Sequence, residues 1–481
     1  MPCSALHSND SHPSPGDVGV RLRCLRLVSG HQTGILSRPF TPAGRRTLAR
    51  TIGPATRDTL ASVVLRGGAM SLNFLVSVIL ARSIGPRGYG IYAFALATAA
   101  LLAIPSTAAL STLVVRETAG GLARGRPGLV HGLMEWATQR AIVLAIGAVA
   151  LAAGIGVAAG SRLQPDSRLA FGFALAIVPL LSLMAVRAAT LRGFHFVVAG
   201  QISELLVVPS VMLMGIGILR VAGASEKLGP ASAAGFYLTG IAVALVITVV
   251  LLRARTPLQV RTASREYEPQ AWAGAVVPLL FVSGFAYANR ELGLLLVGSL
   301  AGAEAAGIYR VAVRGSDLVV FALTGIIVAI SPRLARLHAE SNLKGLRRLV
   351  RRGALASMLW AVPVAAVMIG TGRWLLTTVF GAAFSSGTTS LAILAAGQLI
   401  NAATGPVGIL LNMTGRERKT ARGHAVALGV QLVSGVVLIP RWGVEGAAAA
   451  TALSVAARNL IFVFEAKSVL RPPSPESATD P

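Results

Sequence analysis

The chain has 481 residues, 54% hydrophobic and only 13% charged, with a mean hydropathy of +0.69. A soluble domain of this length carries nearly twice that charge fraction, and runs of about 20 apolar residues recur here, each able to cross roughly 30 Å of hydrocarbon. A β-barrel is excluded, because the runs are continuous rather than alternating; the formal charge of +25 does not imply nucleic-acid binding, because the cations sit between apolar runs, where topology determinants belong.

In chain order, residues 1–57 mix Pro, Ser and Arg with no apolar run of signal-peptide length. They read as a disordered basic cytoplasmic tail, or as the product of a start codon assigned too early, since the next methionine, Met70, already lies in an apolar run. Both cysteines, Cys3 and Cys24, fall in this tail, so neither a disulfide framework nor a thiolate metal site is expected.

Twelve helical spans are then predicted, near 59–81, 91–112, 136–159, 169–190, 202–222, 231–252, 273–300, 314–331, 354–371, 388–412, 424–440 and 445–465. With the N-terminus in the cytoplasm, inside segments hold roughly 30 Lys and Arg against roughly 10 outside, a strong positive-inside asymmetry. The inside cations cluster at Lys344, Arg347, Arg348, Arg351 and Arg352, and again at Arg416, Arg418, Lys419 and Arg422. Their expected role is to anchor the topology against anionic lipid.

One phrase is written twice. Ser83-Ile84-Gly85-Pro86-Arg87-Gly88-Tyr89-Gly90-Ile91-Tyr92 follows the first span, and Ser299-Leu300-Ala301-Gly302-Ala303-Glu304-Ala305-Ala306-Gly307-Ile308-Tyr309 follows the seventh, about 217 residues later. Matching phrases at matching places predict a duplicated bundle with a substrate path between the copies. The polar connection Arg253–Gln270 divides the spans six and six, which gives the copies the same orientation in the membrane. The expected units are an N-lobe at 58–258, a C-lobe at 259–466 and a disordered tail at 467–481. The repeated loops themselves are expected to lie outside the membrane and only turn the chain.

An ionisable group in hydrocarbon costs several kcal/mol unless it faces a partner or a wet cavity. Arg66 lies in the first span, with Asn73 two turns further; Arg290 and Glu291 lie near the middle of the seventh. The 217-residue offset lays Asn73 on Arg290, so the leading helix of each copy carries buried polarity and a cation. Arg binds phosphate bidentately, which makes Arg66 and Arg290 candidate ligands for a diphosphate, with Asn73 and Glu291 as cavity or ion-coupling candidates. The alternative reading of Arg290 and Glu291 is as links to neighbouring helices, since adjacent residues point about 100° apart and pair poorly with each other. Arg140, Glu204, Asp317 and Arg458 are expected near span ends, where they can reach the interface. Pro105, Pro179, Pro209, Pro278, Pro363 and Pro406 fall in or near spans, where each frees a backbone carbonyl.

No Walker A sequence, metal-ligand spacing or Gly-x-Ser-x-Gly elbow occurs. No cofactor is expected, and a transporter is favoured over an enzyme.

Several motifs carry a family resemblance. They are Ala81-Arg82-Ser83-Ile84-Gly85-Pro86-Arg87-Gly88-Tyr89-Gly90-Ile91-Tyr92, Ala305-Ala306-Gly307-Ile308-Tyr309-Arg310-Val311-Ala312 and Ser331-Pro332-Arg333-Leu334-Ala335-Arg336-Leu337, followed by Leu411-Asn412-Met413-Thr414-Gly415-Arg416-Glu417-Arg418 and Trp442-Gly443-Val444-Glu445-Gly446-Ala447-Ala448. Over about residues 59–466 the chain resembles the polysaccharide-export and O-antigen flippases of the MATE/oligosaccharidyl-lipid (MOP) superfamily. The resemblance implies an all-α polytopic membrane protein of two six-helix lobes around a central cavity, working by alternating access in a bacterial inner membrane with both termini cytoplasmic. It implies a cargo of glycan on undecaprenyl diphosphate, membrane lipids as surroundings, H+ or Na+ as coupling ion, and polysaccharide polymerase and chain-length proteins as partners. The alternatives are a MATE-like cation-coupled multidrug antiporter and a non-transporting scaffold of a glycan-assembly complex. Members often carry an acid in span 7 at the position that aligns with Gly293; here the acid, Glu291, stands two residues earlier.

Overall fold

The computed structural model describes residues 54–158 and 165–470. The expectations for residues 1–53 and 471–481 lie outside the described residues. Every regular element among the described residues is helical, as the bilayer requires of a span whose backbone groups have no water to bond.

Among the described residues, ten helices are long and apolar enough to cross a membrane. Two of them are double. The 49-residue run Pro54–Leu102 has a single non-helical residue, Gly85, and the 54-residue run Glu417–Leu470 has one at Gly443. Either run, if straight, would exceed about 70 Å at 1.5 Å per residue, more than twice the hydrocarbon thickness. Dividing both at their glycines gives twelve spans, in agreement with the sequence reading.

The spans are α1 (54–84), α2 (86–123), α3 (Pro127–Ala158), α4 (Pro165–Gly193), α5 (Ala199–Val221) and α6 (Pro230–Arg255). After a short helical turn, Leu258–Thr262, come α7 (Pro269–Leu300), α8 (Gly302–Ser316, then Phe321–Ala339), α9 (Leu343–Val379), α10 (Thr388–Thr404, then Val407–Met413), α11 (417–442) and α12 (444–470). One prediction needs correction. The eighth span was placed at 314–331, but the helical segment begins at Gly302 and the apolar span proper is Phe321–Ala339, so residues expected in an external loop are helical.

Both copies of the repeated phrase turn at a positive-φ glycine. Gly85 (φ 66°) and Gly302 (φ 88°) take the left-handed conformation that ends one helix and starts the next. Beyond the turn, the two copies pack on each other. A Cβ at Gly90 would run into the Ala303 carbonyl and the Gly307 backbone nitrogen, and a Cβ at Gly307 would run into the Pro86 carbonyl and the Gly90 nitrogen. Pro86 and Gly90 plus 217 are residues 303 and 307, so the contact is reciprocal and α2 crosses α8 on a local two-fold axis. The expectation that these segments only turn the chain is therefore corrected.

Helix interruptions also correspond. α2 loosens at Ala103 and passes through a π-helical turn, Pro105–Leu110; α8 breaks between Ser316 and Phe321, at nearly the same repeat depth. Pro105 opens the π-helical turn, Pro209 lies just past a second such turn (Ser203–Val207) in α5, and Pro406 stands at the break in α10, so three of the expected prolines coincide with interruptions.

The apolar core differs between the two ends of the bundle. At the end carrying the Gly85, Gly302 and Gly443 turns (the hairpin end), one cluster joins both sets of six helices, including Leu80, Ala81, Tyr92, Val297, Ala306 and Tyr309. Arg82 at the end of α1 adds two bonds across the same end, donating from Nε to the Val379 carbonyl at 2.8 Å and from Nη2 to that of Thr378. At the opposite end the cores separate. Val130, Leu191, Phe194, Leu252 and Val260 form one cluster in the first six helices, while Leu334, Leu346, Leu410 and Phe462 belong to another in the last six.

Helix α7 is the exception. Its first turns pack with α2 and α3, Trp272 lying 5.3 Å from Trp136 between ring centroids. Its later turns pack with α11 and α12, where Leu296 fills the notch at Gly435. The segment leading into α7 is strapped to α3: Arg126 pairs with Glu266 (2.9 Å) and Glu268 (2.8 Å), and Arg265 with Glu135 (2.9 Å). Tyr267 donates to Glu135 at 2.7 Å, and that bond raises its phenol pKa. Gly128 and Gly132 let the strap backbone lie directly on α3.

Candidate functional site

Along α8, Ala303, Gly307, Arg310 and Arg314 are spaced four, three and four residues apart, so they form one stripe of the helix. The first two make the crossing with α2, which places the two arginines on the same face, one and two turns further into the membrane. The α2 positions that correspond by the repeat are Ala93 and Ala97. One copy supplies charge and the other supplies small side chains.

Glu291 of α7 reaches this stripe. Its Oε2 lies 3.5 Å from Arg310 Nη1, and its Oε1 lies 4.0 Å from Arg290 Nε. Arg314 Nη1 lies 3.9 Å from Asp317 Oδ2, while its Nε is buried without a partner. Burial separates the roles: the Glu291 and Arg310 side chains are 14% and 19% exposed, whereas Arg290 is 72% exposed at the rim. All these separations exceed the 2.7–2.9 Å of a tight charge-assisted bond. Three guanidiniums face two carboxylates, so the cluster keeps a net positive charge and unused donors. Since arginine does not deprotonate in proteins, the site is built to accept an anionic group.

The surrounding helices fix the position of α7. Asn289 Nδ2 donates to the His424 carbonyl of α11 at 2.7 Å and to Phe285 of its own helix at 2.8 Å. Gly293 has no room for a side chain, because a Cβ there would meet the Tyr309 hydroxyl and lie 2.8 Å from Gln431 Nε2. Tyr309 in turn bonds Thr451 at 2.8 Å. At the position that aligns with the resemblance's acid, this chain has a neutral hydroxyl and amide network instead.

The four residues singled out from the sequence stand as follows. Glu291 lies in the cluster and Arg290 at its rim. Asn73 bonds its own helix, Nδ2 donating to the Ala69 carbonyl at 2.8 Å. Arg66 is exposed and makes no ion pair among the described residues; no bond joins it to Arg290. Arg310 and Arg314 were missed, although Arg310 stood in a quoted motif. With Glu304 they dilute the local hydropathy, so the predicted span began only at Arg314; the 303, 307, 310, 314 spacing was the available signal. Asp317, expected near a span end, lies at the interruption inside α8, and Arg140 and Arg458 lie well inside α3 and α12. Among the described residues no group of three or more His, Cys, Asp or Glu could hold a metal ion.

Comparison with known proteins agrees with this architecture. The chain is 27% identical over 192 residues to a probable flippase, AglR, of Haloferax volcanii, covering 39% of this chain and 40% of the relative. It is 22% identical over 180 residues to a probable low-salt glycan biosynthesis flippase, Agl15, of the same organism, covering 37% and 38%. The matched segments therefore span about two-fifths of these relatives. Among solved structures, an inward-facing multidrug resistance MATE transporter of the MOP superfamily superposes with a TM-score of 0.68 at 11% identity, over 85% of this chain and 98% of that one. The lipid II flippase MurJ in an inward closed conformation gives 0.66 at 12% identity, over 85% and 87%. These likenesses establish the fold. The sequence profile described as polysaccharide biosynthesis protein matches residues 55–338; with more than half of the chain matched on a twelve-helix membrane fold, the protein belongs to that family.

Proposed function

We propose that the protein is a flippase for a lipid-linked oligosaccharide, a glycan on undecaprenyl diphosphate, which it moves across a bacterial inner membrane by alternating access. The observation that carries this reading is the cluster of Arg290, Glu291, Arg310, Arg314 and Asp317 at membrane depth, on the face that α8 turns toward the first six helices. Fixed cations in hydrocarbon are costly, and a diphosphate is a ligand that uses several guanidinium donors at once.

In this reading 58–258 and 259–466 are the two lobes, and the hairpin end faces outward. The diphosphate enters from the linker end, where the two cores are separate, and binds between Arg310 and Arg314. It displaces the loosely held carboxylates as it does so. The prenyl chain stays in lipid while the glycan crosses between the lobes. Separation of α2 from α8 at the glycine crossing, with closure at the linker end, exposes the cargo on the other side. Glu291, released from Arg310, is the group that can take up a coupling proton or Na+. Arg66 is an entry-side contact.

The test pairs a deletion strain with reconstitution. Loss of the gene is expected to leave lipid-linked glycan on the cytoplasmic leaflet, and the purified protein to restore its movement in vesicles. Normal glycan export in the deletion strain, with no movement in vesicles, would contradict the reading. Transport of organic cations by the same vesicles would support the antiporter instead.

A further inference from the structure

A second cationic group lies deeper in the last six helices, where no carboxylate meets it. Arg458 of α12 makes no ion pair among the described residues; its Nη2 donates to Asn401 Oδ1 of α10 at 3.3 Å. That one neutral acceptor is shared with Asn459 Nδ2, at 3.2 Å. Asn459 Oδ1 already accepts from Thr404, at 3.0 Å. Arg458 Nε and the Nδ1 of His424 on α11 are both buried without partners. The two residues flank one ring: Arg458 Cζ lies 6.0 Å from the Phe462 centroid, and His424 meets the same ring edge-on at 5.5 Å.

The group is therefore rich in donors and short of acceptors. A guanidinium stays charged, and a buried charge with no counter-charge costs several kcal/mol. Amide oxygens satisfy only part of its hydrogen-bonding capacity. Nε has no hydrogen-bond partner, backbone carbonyls included, among the described residues. What completes the site is an anion, held by the guanidinium edge and the imidazole.

We infer that Arg458, His424 and Asn401 form an anion-binding site among α10, α11 and α12, separate in its residues from the α7–α8 cluster. The ligand is a single small anionic group of chloride or oxyanion chemistry. Two sources share that chemistry, a free inorganic anion and the phosphate of a prenyl-linked lipid.

The experiment uses the full-length protein in nanodiscs of zwitterionic lipid, in a gluconate buffer free of chloride and phosphate. Chloride, inorganic phosphate and farnesyl diphosphate are titrated separately while thermal unfolding is followed. A saturable rise in Tm of about 3 °C is expected for at least one of them. The one that acts names the source. The part of the rise that belongs to this site is expected to be absent in Arg458→Gln and intact in Arg126→Gln, a cation of the exposed strap. His424→Gln is expected to shift the midpoint of the titration about tenfold toward higher anion concentration. In the gluconate buffer, before any titrated anion is added, Arg458→Gln is expected to melt above the wild type, because it removes an uncompensated charge. Should that variant fail to fold, Arg458→Lys, which keeps the charge but loses the fork, is expected to show a weakened titration. No shift with any of the three anions, or the same shift in wild type and Arg458→Gln, would overturn the proposal. None of these readouts depends on transport, so failure here leaves the flippase reading standing, and the reverse holds.

Discussion

Glu291 holds two arginines apart rather than neutralising either one. At 3.5 Å from Arg310 and 4.0 Å from Arg290, it lowers the cost of a buried guanidinium without saturating its donors. Removing the carboxylate alone should leave that charge uncompensated. Glu291→Gln is therefore expected to lower unfolding stability by about 3 kcal/mol. The double variant Glu291→Gln with Arg310→Gln should recover much of that loss, a coupling that thermal melts of the double-mutant cycle will read. Gly293→Asp, which installs the acid that the family resemblance implies at this position, should destabilise the protein by several kcal/mol, since it forces a charge against the Tyr309 hydroxyl. Membrane extraction yield and melting temperature check that expectation. Glu291 and Arg290 were legible in the sequence because charges stand out inside an apolar run. Arg310 and Arg314 were not, because at a helix start charges are indistinguishable from loop polarity until the helical stripe is seen.

The decisive elements are α2 and α8. Their crossing depends on two glycines that leave backbone against backbone, and even a methyl group at either site meets a carbonyl of the other helix. Gly307→Ala or Gly90→Ala is expected to force the helices apart, at a cost of about 1–3 kcal/mol to the closed state. A cysteine placed at Phe74, whose ring packs edge-on against Phe380 5.7 Å away, should then react faster with a membrane-impermeant maleimide. Unchanged labelling would mean that the crossing does not seal the hairpin end. The sequence showed that the phrase was repeated, and hence that its backbone would be repeated. That the copies touch each other was not legible, because a repeat fixes local shape and leaves open where the symmetry axis runs.

At the scale of the whole molecule, the two ends of the bundle are unlike. One apolar core joins helices of both sets at the hairpin end, while separate cores serve the two sets at the linker end. The twelve spans could be read from hydropathy and the repeat. The passage of α7 from one set to the other could not, because both halves of that helix are equally apolar and only their partners differ. The strap around Arg126 is exposed, so its ion pairs are screened by salt. Arg126→Gln should lower the melting temperature slightly at low salt, and the difference should vanish at high salt. The central claim is that guanidiniums of α8 carry an anionic lipid-linked cargo between the two sets of helices. The most direct measurement is the movement of a prenyl-diphosphate-linked glycan across vesicles, comparing wild type with Arg310→Gln at matched folded protein. The wild type is expected to move it and the variant to lose at least about tenfold in rate, the loss of one charge-assisted contact. Equal rates for the two proteins would contradict the account.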